Sequence, residues 1–116
     1  MFNIDLYEEI QRLTNTLTQS IKLLRTNGVK LAEAERDYKV SLAKEALKMK
    51  SDGMPVTLIN QVIYGTKEVS ELRFKRDVEQ ATYDANKEYI NSCKLQLRLL
   101  EAQLEREWAN SGKGNI

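Results

Sequence analysis

The apolar positions of the first fifty residues recur at helical spacing. They are separated by steps of three or four residues, which places them on one face of an α-helix. The stripe continues through Asn27-Gly28 without a slip, so the pattern predicts one helix over residues 5–50. Gly28 lies on this stripe, where its missing side chain either lets a partner backbone come close or weakens the helix by about 1 kcal/mol. The stripe consists of Leu6, Ile10, Leu13, Leu17, Ile21, Leu24, Gly28, Leu31, Ala34, Tyr38, Leu42, Ala46 and Met49.

A segment that contains helix-ending residues follows this helix. Gly53 suits the left-handed position at a helix C-terminus, and Pro55 cannot continue the helical hydrogen-bond ladder. The nine residues VTLINQVIY then predict a short helix over 56–64, which ends at Gly65.

The segment 67–108 contains no Gly or Pro and predicts a second long helix. It carries two apolar stripes where the first helix carries one. The first stripe is Phe74, Val78, Ala81, Ala85, Ser92, Leu95, Leu99 and Ala102, and the second is Tyr83, Ile90, Cys93, Leu97, Leu100, Leu104 and Trp108. Residues 110–116 are rich in glycine, which favours a disordered tail.

These elements predict an all-α fold, an antiparallel, coiled-coil-like helical hairpin that forms a single domain over residues 1–109. A seam between two helices uses one stripe from each, so the extra stripe on the last helix requires another cover. We expect a second copy of the chain to provide it, in a homodimeric four-helix bundle. The residues assigned to that interface are Ile90, Leu97, Leu100, Leu104 and Trp108. The alternative is a bent hairpin whose own wide seam covers both stripes.

Composition argues against an enzyme. The chain has no histidine, and its single cysteine, Cys93, excludes an intrachain disulfide and predicts a small core residue. Glu68 and Glu71 form an ExxE pair, but the ExxD that completes a helical magnesium site is missing. We therefore expect no catalytic site, metal or cofactor. The start of the chain is acidic, and no apolar run approaches the roughly 20 residues that span a bilayer, so we expect a cytoplasmic protein without membrane contact.

Charge is distributed unevenly along the chain. Residues 36–76 hold nine basic and five acidic side chains, a balance of +4, whereas the net charge of the whole chain is +1. This pattern indicates a partner-binding or phosphate-binding tip at the turn. The alternative is that the charges only solvate the helices while the short helix plugs the end of the seam. The candidate tip residues are Lys44, Lys48, Lys50, Ile59, Ile63, Lys67, Arg73, Lys75 and Arg76.

The second half of the chain resembles a group of known proteins. The runs GMPVTLINQVIYG and VSELRFKRDVEQATYDANKEYINSCK, closing on LEREW, resemble small proteins encoded by phages and prophages of Gram-positive bacteria, often among early genes. The resemblance implies an intracellular accessory or inhibitor. The function expected is therefore a non-enzymatic protein that self-associates through its helices and binds a host or phage protein of replication, recombination or defence. The alternative is an accessory factor that binds nucleic acid with the basic turn end.

Overall fold

The computed structural model of the protein describes residues 4–114. Over this range the chain forms α1 (Ile4–Ser51), α2 (Val56–Val62), a 3-10 turn (Ile63–Gly65) and α3 (Lys67–Gly114). Long helix α1 packs on long helix α3 with the short helix between them, which confirms the expected all-α class. Helix α3 continues six residues past its predicted end at Trp108, because no proline interrupts it and its glycines fall in the last turn. Residues 110–114 of the predicted tail are therefore helical, and 115–116 lie outside the described residues.

The packing divides the chain into two compact units. The turn unit is Arg25–Asp84, and the terminal unit is formed by residues 4–24 together with 85–114. Each unit draws on both long helices.

Burial along both long helices follows a seven-residue period. This is the period of coiled-coil packing, in which a seam face returns after every two turns. Ser20 therefore takes a buried place that the predicted stripe gave to Ile21, and Ile21 is exposed. The buried positions of α1 include Leu6, Leu13, Ser20, Asn27, Ala34 and Ser41. The buried or half-buried positions of α3 that follow this period are Val69, Leu72, Arg76, Glu79, Tyr83, Asn86, Ile90, Cys93, Leu97, Leu100, Leu104, Glu107 and Ser111.

Backbone hydrogen bonds cap the C-terminus of α1. Gly53 has a φ of 86°, and its N–H donates to the Lys50 carbonyl at 3.0 Å. The Met54 N–H reaches back to the Met49 carbonyl at 3.0 Å. This pair of bonds is the Schellman motif, which requires the left-handed conformation that glycine adopts without strain.

The turn unit has an apolar core at its end. Five buried side chains from α1, α2, the 3-10 turn and α3 form one cluster: Tyr38, Met49, Ile59, Ile63 and Val69. Val69 is fully buried, so the start of α3 is fixed against the end of α1 by side chains of the short helix. The short helix is thus held by burial, not by capping side chains.

Polar and small residues interrupt each unit's part of the seam. In the terminal unit, the Asn86 amide Nδ2 donates to the Ser20 carbonyl at 3.3 Å. In the turn unit, Gly28 faces an aromatic ring, because a Cβ at that position would lie 3.4 Å from Cε2 of Tyr83. The partner that approaches Gly28 is therefore a tyrosine side chain and not a backbone segment.

Candidate interaction surfaces

Most of the basic side chains that were predicted to form a tip are exposed on the turn unit. The exposed ones are Lys44, Lys48, Lys50, Lys67, Arg73 and Lys75, whereas Arg76 is half-buried. Lys48 and Lys50 lie in the last turn of α1, where positive charge also stabilises the carboxyl end of the helix dipole. These two lysines thus have a local structural role as well as any role in binding.

Both arginines of the candidate tip lie over tyrosine rings. The Arg73 Cζ lies 5.2 Å from the ring centroid of Tyr64, and the Arg76 Cζ lies 4.6 Å from that of Tyr38. Arg76 Nη2 also contacts Asp77 Oδ1 at 2.8 Å, and this hydrogen bond raises the pKa of the Arg76 guanidinium. Arg76 is therefore engaged within the chain, and its use for a phosphate would require breaking these contacts.

Acidic side chains accompany the basic ones. Lys44 lines a surface groove of the turn unit with Asp37 and Glu68. Arg36, in the same groove, contacts Asp37 at 3.1 Å. A groove that alternates both signs of charge does not concentrate a positive potential toward phosphates. This geometry favours a mixed polar surface over a phosphate-binding cleft.

The two apolar residues assigned to the tip are core residues. Ile59 is 5% exposed and Ile63 is 4% exposed, and both pack in the cluster with Val69. This corrects their assignment as partner contacts, because the short helix turns these side chains inward to fill the end of the seam. Its outward apolar side chains are Val56, Leu58 and Val62.

The residues assigned to an interface between copies also need correction. Ile90 and Leu97 are buried in the seam face of α3, and Leu100 and Leu104 are half-buried on the same face. They are covered within the chain because they lie on the face of α3 that packs against α1. Trp108 alone of the five is exposed.

The apolar stripe that remains uncovered is the other one on α3. In the turn unit, Phe74 is 71% exposed and Val78 lies one turn further along the same face. In the terminal unit, Leu95 is 54% and Leu99 is 61% exposed. The sequence shows both stripes, and both recur at steps of three and four, so their spacing alone does not distinguish the covered one.

A second groove lies on the terminal unit. Its lining includes Asn15, Gln19, Leu23 and Tyr89, and Arg12 lies at the same groove. Arg12 is paired with Glu9, and this hydrogen bond lowers the pKa of the Glu9 carboxyl. The groove presents amide and hydroxyl groups beside two exposed apolar side chains, which suits a polar peptide segment better than a charged ligand.

Residues 4–111, whose side chains are described, contain no cluster of three or more Cys, Asp or Glu side chains arranged to hold a metal ion. No helix in the described part of the chain is both long and apolar enough to cross a bilayer. No family model matches this chain, and neither does any curated protein or solved structure.

Proposed function

We propose that the chain is a non-enzymatic interaction protein that binds a protein partner and self-associates through α3. The observation that carries the proposal is the exposed apolar stripe of α3. Large apolar side chains that recur on one exposed helix face mark interaction sites, whereas scattered single ones need no explanation. The phage-like sequence pattern supports an accessory role in an infected or lysogenic cell, with a host or phage protein of replication, recombination or defence as partner.

The partner surface proposed is the α3 face of the turn unit around Phe74. Phe74 and Val78 are one turn apart, so both can enter a single apolar groove on a partner. Lys75 and Arg73 flank Phe74 and are exposed. An aromatic anchor with a basic rim fits a protein groove that is apolar at its centre and acidic at its edge.

Nucleic-acid binding is the second candidate, and the exposed lysines of the turn unit favour it. Two observations weigh against it: Arg76 is held by Asp77 and Tyr38, and Asp37 and Glu68 share the groove of Lys44. Both reduce the positive potential available to phosphates.

The test compares two sets of substitutions. The first variant is Phe74→Ala with Val78→Ala, and its matched control is Lys44→Ala with Lys48→Ala and Lys50→Ala. All five side chains are exposed, so we expect each substitution to change the free energy of unfolding by no more than about 0.5 kcal/mol, or up to about 1 kcal/mol at Lys48 and Lys50, whose charges stabilise the end of α1. Capture from host or infected lysate is measured with and without nuclease, alongside direct titration with a fluorescent 20-base-pair DNA at several salt concentrations.

A protein partner predicts that capture survives nuclease treatment and falls at least tenfold in the Phe74/Val78 variant. The lysine variant should change mainly the association rate. The proposal is overturned if capture disappears with nuclease, or if the lysine variant alone abolishes it while the affinity for DNA falls steeply with salt. The log–log slope of DNA affinity should then flatten by nearly one unit per lost phosphate contact.

A further inference from the structure

In the terminal unit, the exposed stripe of α3 has a self-complementary order of side chains. Its positions are Glu88, Ser92, Leu95, Leu99, Ala102 and Arg106, separated alternately by four and three residues. All except the half-buried Ala102 are exposed. At about 100° per residue, the stripe lies roughly 160° around α3 from the seam face. It therefore points away from the α1 segment of the same unit.

The order is symmetric about the level of Leu97. When two copies of α3 are placed antiparallel about a two-fold axis at that level, Leu95 of one faces Leu99 of the other. Ser92 then faces Ala102, so two small residues meet. At each end Glu88 faces Arg106, and the two unlike charges close the apolar section.

We propose that this face is the site at which two copies of the chain associate, by antiparallel packing of α3 on α3 with Leu95 and Leu99 at the centre. This inference rests on the self-association in the proposed function and adds its surface, direction and register. The partner copy lies on the side of α3 away from α1, so the terminal units form an open layer of four helices and not a closed bundle.

Charge selects this arrangement over the two nearest alternatives. A parallel pair in register would place Glu88 against Glu88 and Arg106 against Arg106, which repel. Sliding the antiparallel pair by one heptad would place Leu99 against Glu88 in one direction and Leu95 against Arg106 in the other, and each would bury a charge without a partner. The chosen register pairs every apolar side chain with an apolar or small one and both charges with opposite charges.

The contact is short, and this sets the expected affinity. From Glu88 to Arg106 the stripe spans about 27 Å at 1.5 Å per residue. Two leucines per chain bury less than the standard interface of about 1,600 Å². We therefore expect a reversible dimer with a dissociation constant on the order of 10–100 µM.

Cysteine cross-linking of the full chain tests the register. Ser92→Cys and Ala102→Cys are made separately, and each protein is oxidised alone and after mixing at about 0.5 mM. The proposed register predicts a covalent dimer in the mixture and little in either protein alone, because Ser92 of one copy lies about 15 Å along the axis from Ser92 of the other. The native thiol of Cys93 is buried and serves as the background control in the unsubstituted chain.

Charge reversal provides the second measurement, read by sedimentation equilibrium. Glu88→Arg and Arg106→Glu should each weaken the dimer at least threefold, and the double variant should restore it. Leu95→Glu with Leu99→Glu should give a monomer with unchanged helicity.

The outcomes separate this inference from the proposed self-association. A wild-type dimer without the mixed cross-link, or with cross-links in the separate proteins, overturns the register and leaves self-association standing. A wild-type chain that remains monomeric at 1 mM overturns both the register and the proposed self-association. The exposed stripe of α3 would then be a binding surface for a different protein.

Discussion

Two apolar stripes run along α3 in the terminal unit, and they differ in their neighbours more than in their spacing. On the seam face, Ile90, Cys93 and Leu97 are buried against α1. On the outer face, Leu95 and Leu99 expose more than half of their surface. Both stripes alternate steps of three and four. The difference shows that helical periodicity identifies faces that can be covered, whereas the partner helix determines which one is covered.

The largest expected effect tests this contrast directly. Leu97→Ala removes a side chain that is 9% exposed, and we expect a loss of about 2–4 kcal/mol of unfolding free energy from lost burial and an unfilled cavity. Leu99→Ala, two residues away, should cost no more than about 0.5 kcal/mol when measured at a monomeric concentration. Urea unfolding followed by circular dichroism gives both values. Equal losses would show that the two faces are not distinguished by packing.

The short helix of the turn unit and the 3-10 turn that follows it offer the same contrast at a second place. Ile63→Ala should cost about 2–4 kcal/mol, because Ile63 is buried in the cluster with Met49 and Val69. Leu58→Ala is the control, since Leu58 points outward and its loss should cost less than about 1 kcal/mol. Thermal unfolding of the two variants checks this. A large loss at Leu58 would place an unrecognised packing contact on the outer face of α2.

Gly53, which follows the end of α1, and Gly28, inside α1, should respond in opposite directions to alanine. Gly53→Ala should destabilise the chain by about 1 kcal/mol, because its φ of 86° is strained for a side chain. Gly28→Ala should stabilise it by up to about 1 kcal/mol, because the new Cβ would meet Tyr83 at an ordinary van der Waals distance of 3.4 Å. The denaturant midpoints of the two variants, compared with that of the wild-type chain, show whether each substitution stabilises or destabilises the fold. If Gly28→Ala destabilised the chain, the Tyr83 ring would have to lie closer to residue 28 than this distance allows.

The smallest expected effect concerns the exposed pair Glu9 and Arg12. Its hydrogen bond lowers the pKa of the Glu9 carboxyl, so the pair stabilises the fold above the ordinary carboxyl pKa. That contribution is lost as pH falls through the lowered pKa. Glu9→Gln should remove this part of the acid dependence and leave the stability below the lowered pKa unchanged. The free energy of unfolding of the wild-type chain and of Glu9→Gln, measured from pH 7 to 3, would show this loss of pH dependence. Parallel pH profiles for the two proteins would mean that the pair has no role in acid stability.

The sequence predicted the long helices, the intervening short helix and the antiparallel packing, because spacing, glycine and proline act locally. It misassigned which stripe of α3 is covered, because both stripes have helical spacing and a search for apolar residues passes over the polar seam positions Ser20 and Asn86, which are joined by a hydrogen bond. It also left open whether Ile59 and Ile63 face inward. That orientation follows from the way Pro55 and the 3-10 turn direct the short helix, which periodicity over seven residues does not fix.

The burial of Cys93 has a further consequence for how the seam can be observed. Cys93 is 2% exposed and is the single cysteine of the chain, so a thiol reagent reaches it only when the terminal unit opens. When closing is faster than modification, the labelling rate equals the intrinsic rate multiplied by the opening equilibrium constant. The chain thus contains its own site-specific reporter of native-state opening. The labelling rate of Cys93 measured with and without a partner would show how strongly that partner stabilises the closed seam.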